Sequence, residues 1–182
     1  MRPFLNRCIA GTAALLLPAL FGAPAAAEGG AVSEYAVKSA LLFKLPHFVY
    51  RPEAERNAAL GMCVLGVSPF GGAMEKLAQA PIDGRPVKLL RITGGGDTAE
   101  CDFVFIARSE AAGLDAILRR LGKQTAVTVS DIEGFAKSGG MVELALGSEG
   151  SAVSILINRK AAQRQNIEFN AQLLRLAKVV EP

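Results

Sequence analysis

The sequence predicts an α/β fold, a compact single domain with a mixed, mostly parallel sheet flanked by helices, ending in a C-terminal β-hairpin and helix. Two observations lead to it. Short apolar runs bounded by turn residues alternate with amphipathic stretches from Glu34 to Val129, the pattern of strand–helix units joined by right-handed crossovers. Beyond that point Val142, Leu144 and Leu146, then Val153, Ile155 and Ile157, recur at every second residue around Gly147-Ser148-Glu149-Gly150. That spacing is a hairpin, so the sheet becomes mixed.

The elements follow in order. Glu34 to about Leu45 reads as a helix, with Ser33 placed to cap it and Glu34 suited to its first turn. Pro46 ends or kinks it, Phe48, Val49 and Tyr50 leave as an apolar exit, and residues 51–57 are polar and turn-like. Leu60 to Val67 is a buried strand. Ser68 and Pro69 open a helix through about Ala78, Pro being tolerated in a first turn. Pro86 to Ile92 and Asp102 to Ala107 are strands, separated by a glycine-rich loop from Thr93 to Asp97. The next helix takes Ser109 as cap and Gly122 as terminator, with Leu114, Ile117, Leu118 and Leu121 on one stripe. Ala126 to Val129 is a fourth strand. Asn158 caps a short helix, and Asn170 caps a last one that turns Leu173, Leu176, Ala177 and Val180 inward.

The N-terminus reads as an export signal spanning residues 1–27. Arg2 and Arg7 form a positive start, Ile9 to Phe21 an apolar stretch, and Ala25-Ala26-Ala27 a small-residue cleavage site. The apolar stretch is short for a bilayer of about 30 Å, which disfavours the alternative of a membrane anchor. The expected domain is then residues 28–182. Without Arg2 and Arg7 it holds 18 basic against 17 acidic residues, a net charge of +1. That balance carries no nucleic-acid footprint, so no nucleic-acid partner is expected.

Cys63 and Cys101 are the two cysteines after the signal. In an oxidising compartment an isolated pair reads as a disulfide, with two buried free thiols as the alternative. His47 is the only histidine, so no metal or cofactor is expected. Gly94-Gly95-Gly96-Asp97-Thr98-Ala99 matches a dinucleotide-binding spacing, but a strand restarts near Asp102 and leaves no room for the helix that would receive a pyrophosphate. Neither a nucleophile elbow nor a C-x-x-C pair occurs, and Asp131 with Glu133 sits in a turn where Asp commonly organises backbone N–H groups. A binding protein is therefore expected rather than an enzyme.

The most distinctive segment runs from Ser130 to Met141. Asp131, Phe135, Gly139 and Gly140 are its candidate partner-binding residues, because they follow a strand's carboxyl end, where open α/β sheets bind ligands. Phe135 can equally plug the core while the glycines meet positive-φ demands; both readings stand at this point.

Several ordered pieces resemble the YfiR family of periplasmic regulators. They are Ser33-Glu34-Tyr35-Ala36-Val37-Lys38-Ser39-Ala40, Met62-Cys63-Val64-Leu65-Gly66 with Pro69-Phe70-Gly71, and Gly84-Arg85-Pro86-Val87. Cys101-Asp102-Phe103-Val104-Phe105-Ile106, the Ser130–Met141 segment, Ile157-Asn158 and Gln172-Leu173-Leu174-Arg175-Leu176-Ala177 complete the set. The resemblance implies a compact α/β fold, a Cys63–Cys101 disulfide and no catalysis. It also implies a periplasmic repressor that binds the periplasmic domain of an inner-membrane diguanylate cyclase, is captured by an outer-membrane lipoprotein, and forms homodimers. Two departures stand out. The second cysteine pair of some members is missing, and Tyr50-Arg51-Pro52 stands where the family often reads Glu-Trp-Pro. The expected function is repression by sequestration within cyclic di-GMP signalling. The competing expectation is a periplasmic small-molecule-binding protein serving a sensor kinase or a transport system.

Overall fold

The computed structural model describes residues 33–52, 59–147 and 152–181. The chain divides into two units, Met1–Gly30 and Ala31–Pro182. The expected export signal, most of the 51–57 turn and the tip of the hairpin lie outside the described residues.

Helix α1 (Glu34–Lys44) starts where Ser33 accepts the Ala36 N–H and passes into a 3₁₀ turn over Leu45–Phe48 at Pro46. Strand β1 (Val49–Tyr50) follows, then β2 (Leu60–Leu65), α2 (Ala73–Leu77), β3 (Val87–Ile92) and β4 (Phe103–Ile106). A 3₁₀ turn over Arg108–Gly113 leads into α3 (Leu114–Leu121) and β5 (Val127–Ser130). The hairpin is β6 (Val142–Leu146) with β7 (Val153–Ile157). Helix α4 (Arg159–Gln163), β8 (Glu168–Phe169), α5 (Ala171–Leu176) and β9 (Lys178–Val179) close the chain. Asn158 and Asn170 cap α4 and α5 as expected, accepting the N–H groups of Ala161 and Leu173.

The main sheet has the order β3-β2-β4-β5-β6-β7-β9, and all its neighbours are parallel except β6 with β7. Every residue of β2, β4 and β5 is buried, as a parallel strand covered on both faces must be. Alternation then sorts the side chains. Met62, Val64, Phe103 and Phe105 join the core under α1, where Phe70 stacks edge-on against both Tyr35 and Phe105. Cys63, Leu65, Val104 and Ile106 face the other way, toward Leu114 and Leu121 of α3.

Three expectations need correction, and one strand pairing is not foreseen by the sequence. Helix α2 begins at Ala73 rather than at Ser68, because Gly66 (φ 93°) and Gly71 (φ 55°) bend the chain across the sheet's end first. Ser109 does not cap a helix; its hydroxyl accepts the Val67 N–H at 3.0 Å, and α3 starts five residues later. Leu176 is 73% exposed, since Ala177 turns extended and the chain pairs as β9 beside β7 instead of continuing α5. The two-residue strands β1 and β8, which pair antiparallel outside the main sheet, carry too little pattern to be seen in the sequence.

Cys63, inside β2, is bonded to Cys101, just before β4, with the Cα atoms 5.7 Å apart. The bridge crosses neighbouring parallel strands on the α3 face. Protein purified without reductant is expected to be two hydrogens lighter than the dithiol form. Breaking the bridge, which closes a separation of 38 residues, should lower stability by at most about 4 kcal/mol. Two alkylatable thiols in the unreduced protein would contradict this.

Candidate functional site

At the carboxyl end of β5 the chain leaves the sheet as Asp131 and returns ten residues later at Met141. Helix α1 lies over this point and points Lys38 straight at it. The Lys38 side chain has no exposed surface, and neither does that of Asp131; Nζ lies 2.9 Å from Asp131 Oδ2. Glu34, one turn back on α1, also hydrogen-bonds Nζ. The ammonium further stands 5.0 Å from the centre of the Tyr35 ring, a cation–π distance. Tyr35 donates its hydroxyl proton to the same Asp131 oxygen at 3.0 Å, and Arg108 Nε approaches it at 3.1 Å. One carboxylate oxygen thus meets three groups from two segments, α1 and the turn after β4, while the Arg108 Nε–H is donated to the Asp131 backbone carbonyl at 3.3 Å. Burial, then the hydrogen bond to Asp131, raises the Tyr35 phenol above its ordinary 10.0.

The segment after Asp131 is tied down along its length. Ser130 Oγ accepts the Ile132 N–H at 3.0 Å. Glu143, which β6 presents on the face opposite Val142 and Leu144, accepts the N–H groups of Gly134 (3.1 Å) and Ala136 (3.0 Å), one on each oxygen. Asn158 Nδ2 donates to the Ala136 carbonyl at 2.7 Å, and the Met141 N–H reaches Thr128 Oγ1 at 3.0 Å. Gly134 (φ 76°) and Gly139 (φ 103°) take up the left-handed turns that let so short a segment fold back.

Of the two readings of Phe135, the structure places the ring in the core. It is fully buried with Val104, Ile106 and Leu114, so it presents no exposed anchor. Gly140 is a glycine for a related reason: a Cβ there would overlap the Phe135 ring. Asp131 is buried as well, and Gly139 is partly so. What the segment shows to solvent is Glu133, Lys137 and Ser138. Beside it opens a cavity of about 420 Å³, with Asp131 and Glu143 in its wall and Leu146 and Leu156 along one side.

The sequence reading missed Lys38, Tyr35, Arg108 and Glu143. Lys38 left one trace: it stands one turn before Leu42 on the buried stripe of α1, where a charge needs a partner.

The amino end of the sheet carries a second buried carboxylate. Asp102 accepts the Gly61 N–H at 2.8 Å and is paired with Arg51 and, at 3.4 Å, with Arg85. His47, whose Nδ1 lies 2.9 Å from Asp83, stands with Arg51 and Arg85 around a cavity of about 280 Å³. Among the described residues no group of three or more His, Cys, Asp or Glu is placed to hold a metal, and no helix is long and apolar enough to cross a membrane.

A family profile described as YfiR/HmsC-like matches residues 35–178. No curated protein sequence matches the chain. Among solved structures, a conserved domain protein from Vibrio cholerae superposes with a TM-score of 0.55 at 11% identity, over 81% of this chain and 60% of that one. A Streptococcus pneumonia ABC domain in complex with L-Trp gives 0.57 at 12% identity, with the same coverages. The chain spans only 60% of either structure's length, and these likenesses show a shared fold.

Two outcomes follow from the buried positions. Phe135→Ala should cost about 3–5 kcal/mol in urea unfolding, as for any fully buried phenylalanine; a loss under 1 kcal/mol would place the ring outside the core. Tyr35 and Tyr50 are the only tyrosines, so a Tyr50→Phe variant reports Tyr35 alone by its 295 nm absorbance. Its midpoint should lie above 10.0. Because the folded pKa is the raised one, the stability Tyr35 contributes is intact below the unfolded value and fades as pH climbs through the folded one. A midpoint at or below 10.0 would contradict the part-buried hydrogen bond to Asp131.

Proposed function

The chain belongs to the YfiR/HmsC-like family, and from that premise we propose that it is a periplasmic regulator that binds the periplasmic domain of an inner-membrane diguanylate cyclase and holds it inactive. The observation that carries this reading is the extent of the family match: residues 35–178 take in nearly the whole described domain, from α1 to β9. Repression by sequestration needs no chemistry from the regulator. Preferential binding to the partner's inactive state shifts the cyclase population by the difference in affinity. The protein is accordingly read as a binding protein and not as an enzyme, exported by the signal in residues 1–27. Capture by an outer-membrane lipoprotein and pairing as a homodimer belong to the same proposal.

The proposed contact surface is the Asp131–Gly140 segment. Phe135 and Gly140 support it from beneath, Asp131 anchors its start, Gly139 permits its return, and Glu133, Lys137 and Ser138 make its outer face. A surface held this firmly loses little conformational entropy on binding, which favours affinity. The small-molecule alternative has less behind it. A fold neighbour was solved with L-Trp, but at 12% identity that ligand says nothing about this chain.

The test is co-purification with the periplasmic domain of a diguanylate cyclase from the same cell, alongside cellular cyclic di-GMP. The protein should retain that domain and lower cyclic di-GMP. Lys137→Glu, on the exposed face, should weaken retention about tenfold, in line with reversal of a rim charge, with melting unchanged within a few degrees. Full retention by Lys137→Glu would move the contact away from this segment. Unaltered cyclic di-GMP on deleting the gene would overturn the regulatory reading itself.

A further inference from the structure

The cavity beside Asp131 is unusual for its acceptors. Asp131 Oδ2 accepts from Lys38 and Tyr35 and is ion-paired with Arg108, while Oδ1, equally buried, has no hydrogen-bond partner among the described residues. A buried acceptor left unmatched is costly, so a matching donor that reaches it recovers that cost. Glu143 lies in the same wall. Its charge is met by two backbone N–H groups, and among the described residues no cation stands within salt-bridge distance of it. Glu133 adds a third carboxylate at the rim, against Arg108 and Lys137. Three carboxylates facing two cations leave the lining one negative charge in excess. Beside Glu143, Ala145, Leu146 and Leu156 add an apolar lining, with Leu156 paired to Glu143 across the hairpin and Leu146 43% exposed. The cavity's volume of about 420 Å³ falls in the range of small-ligand sites.

An acidic, acceptor-rich end beside an aliphatic strip matches a positively charged donor on a hydrocarbon stem. We propose that this cavity is a binding site for an alkylguanidinium or alkylammonium group, whose N–H donors meet Asp131 Oδ1 and Glu143 while its stem lies along Leu146 and Leu156. Arg108, with 59% of its side chain exposed, is paired with Asp131 at the rim, so entry of the group requires it to swing toward solvent. The site does not rest on the cyclase reading; it requires only the cavity and its carboxylates.

Titration of the ¹⁵N-labelled protein tests this directly. Agmatine is the probe for a free amine, and acetyl-Gly-Arg-Gly-amide is the probe for an arginine carried on a protein. Butylurea, uncharged, and sodium chloride at matched ionic strength are the controls. Either cationic probe should shift the Gly134 and Ala136 amides saturably, and the tighter of the two identifies the source of the group. Butylurea should bind about tenfold more weakly for want of charge. Asp131→Asn endangers the fold by unpairing Lys38, so the decisive variant is Glu133→Lys. It should weaken either probe about tenfold through the reversed rim charge while its melting temperature stays put. Amide shifts that never saturate, or that sodium chloride reproduces, would overturn the proposal. Undiminished binding by Glu133→Lys would overturn it as well.

Discussion

A lysine ammonium with no exposed surface persists in a folded protein only when a carboxylate and further hydrogen bonds replace its water. Among the described residues Lys38 meets that condition through Asp131 and Glu34, with the Tyr35 ring beside it. Asp131 is the first residue beyond β5, so the pair locks α1 to the carboxyl end of the sheet at one register. Sliding α1 by a single turn would part Lys38 from Asp131, leaving the ammonium to Glu34 of its own helix and the carboxylate to Arg108, at a cost of several kcal/mol. The aromatic ladder Tyr35–Phe70–Phe105 repeats the constraint in apolar terms, running from α1 through the β2–α2 connection into β4.

With its start pinned, the 131–141 segment has the character of core more than of loop. Phe135 enters the α3 layer that also holds the disulfide. Glu143 and Asn158 take the backbone groups that would otherwise be buried unpaired. The result is an irregular surface tied along its length, which exposes Glu133, Lys137 and Ser138. Preorganisation of this kind suits a regulator that acts by binding. Two polar features go with it among the described residues: Glu143 is buried with no cation within salt-bridge distance, and Asp131 Oδ1 has no hydrogen-bond partner.

Much of the fold was legible in the sequence, and the residues show why. The strands β2 and β4 are apolar runs, β5 carries Val127 and Val129, the hairpin alternates, and Ser33, Asn158 and Asn170 each cap the helix assigned to them. Periodicity and capping are local, and local rules found them. The errors have long-range causes. Ser109 looks like a cap but serves Val67, forty-two positions away, and Leu176 looks like core until Ala177 leaves the helix to pair with β7. The site was legible only as a segment. Its glycines and Phe135 mark 130–141 as special, whereas Lys38 is 93 positions from its partner Asp131, and nothing within one segment of sequence announces such a pair.

The central claim is that the segment after β5 is held as firmly as the sheet it leaves, by Glu143 below it and Asp131 at its start. Native-state hydrogen exchange of the isolated protein measures this most directly. The Gly134 and Ala136 amides, bonded to a buried carboxylate, should exchange as slowly as the amides of β5 and β6. Exchange of these two at the rate of exposed amides such as Lys137 would contradict the account.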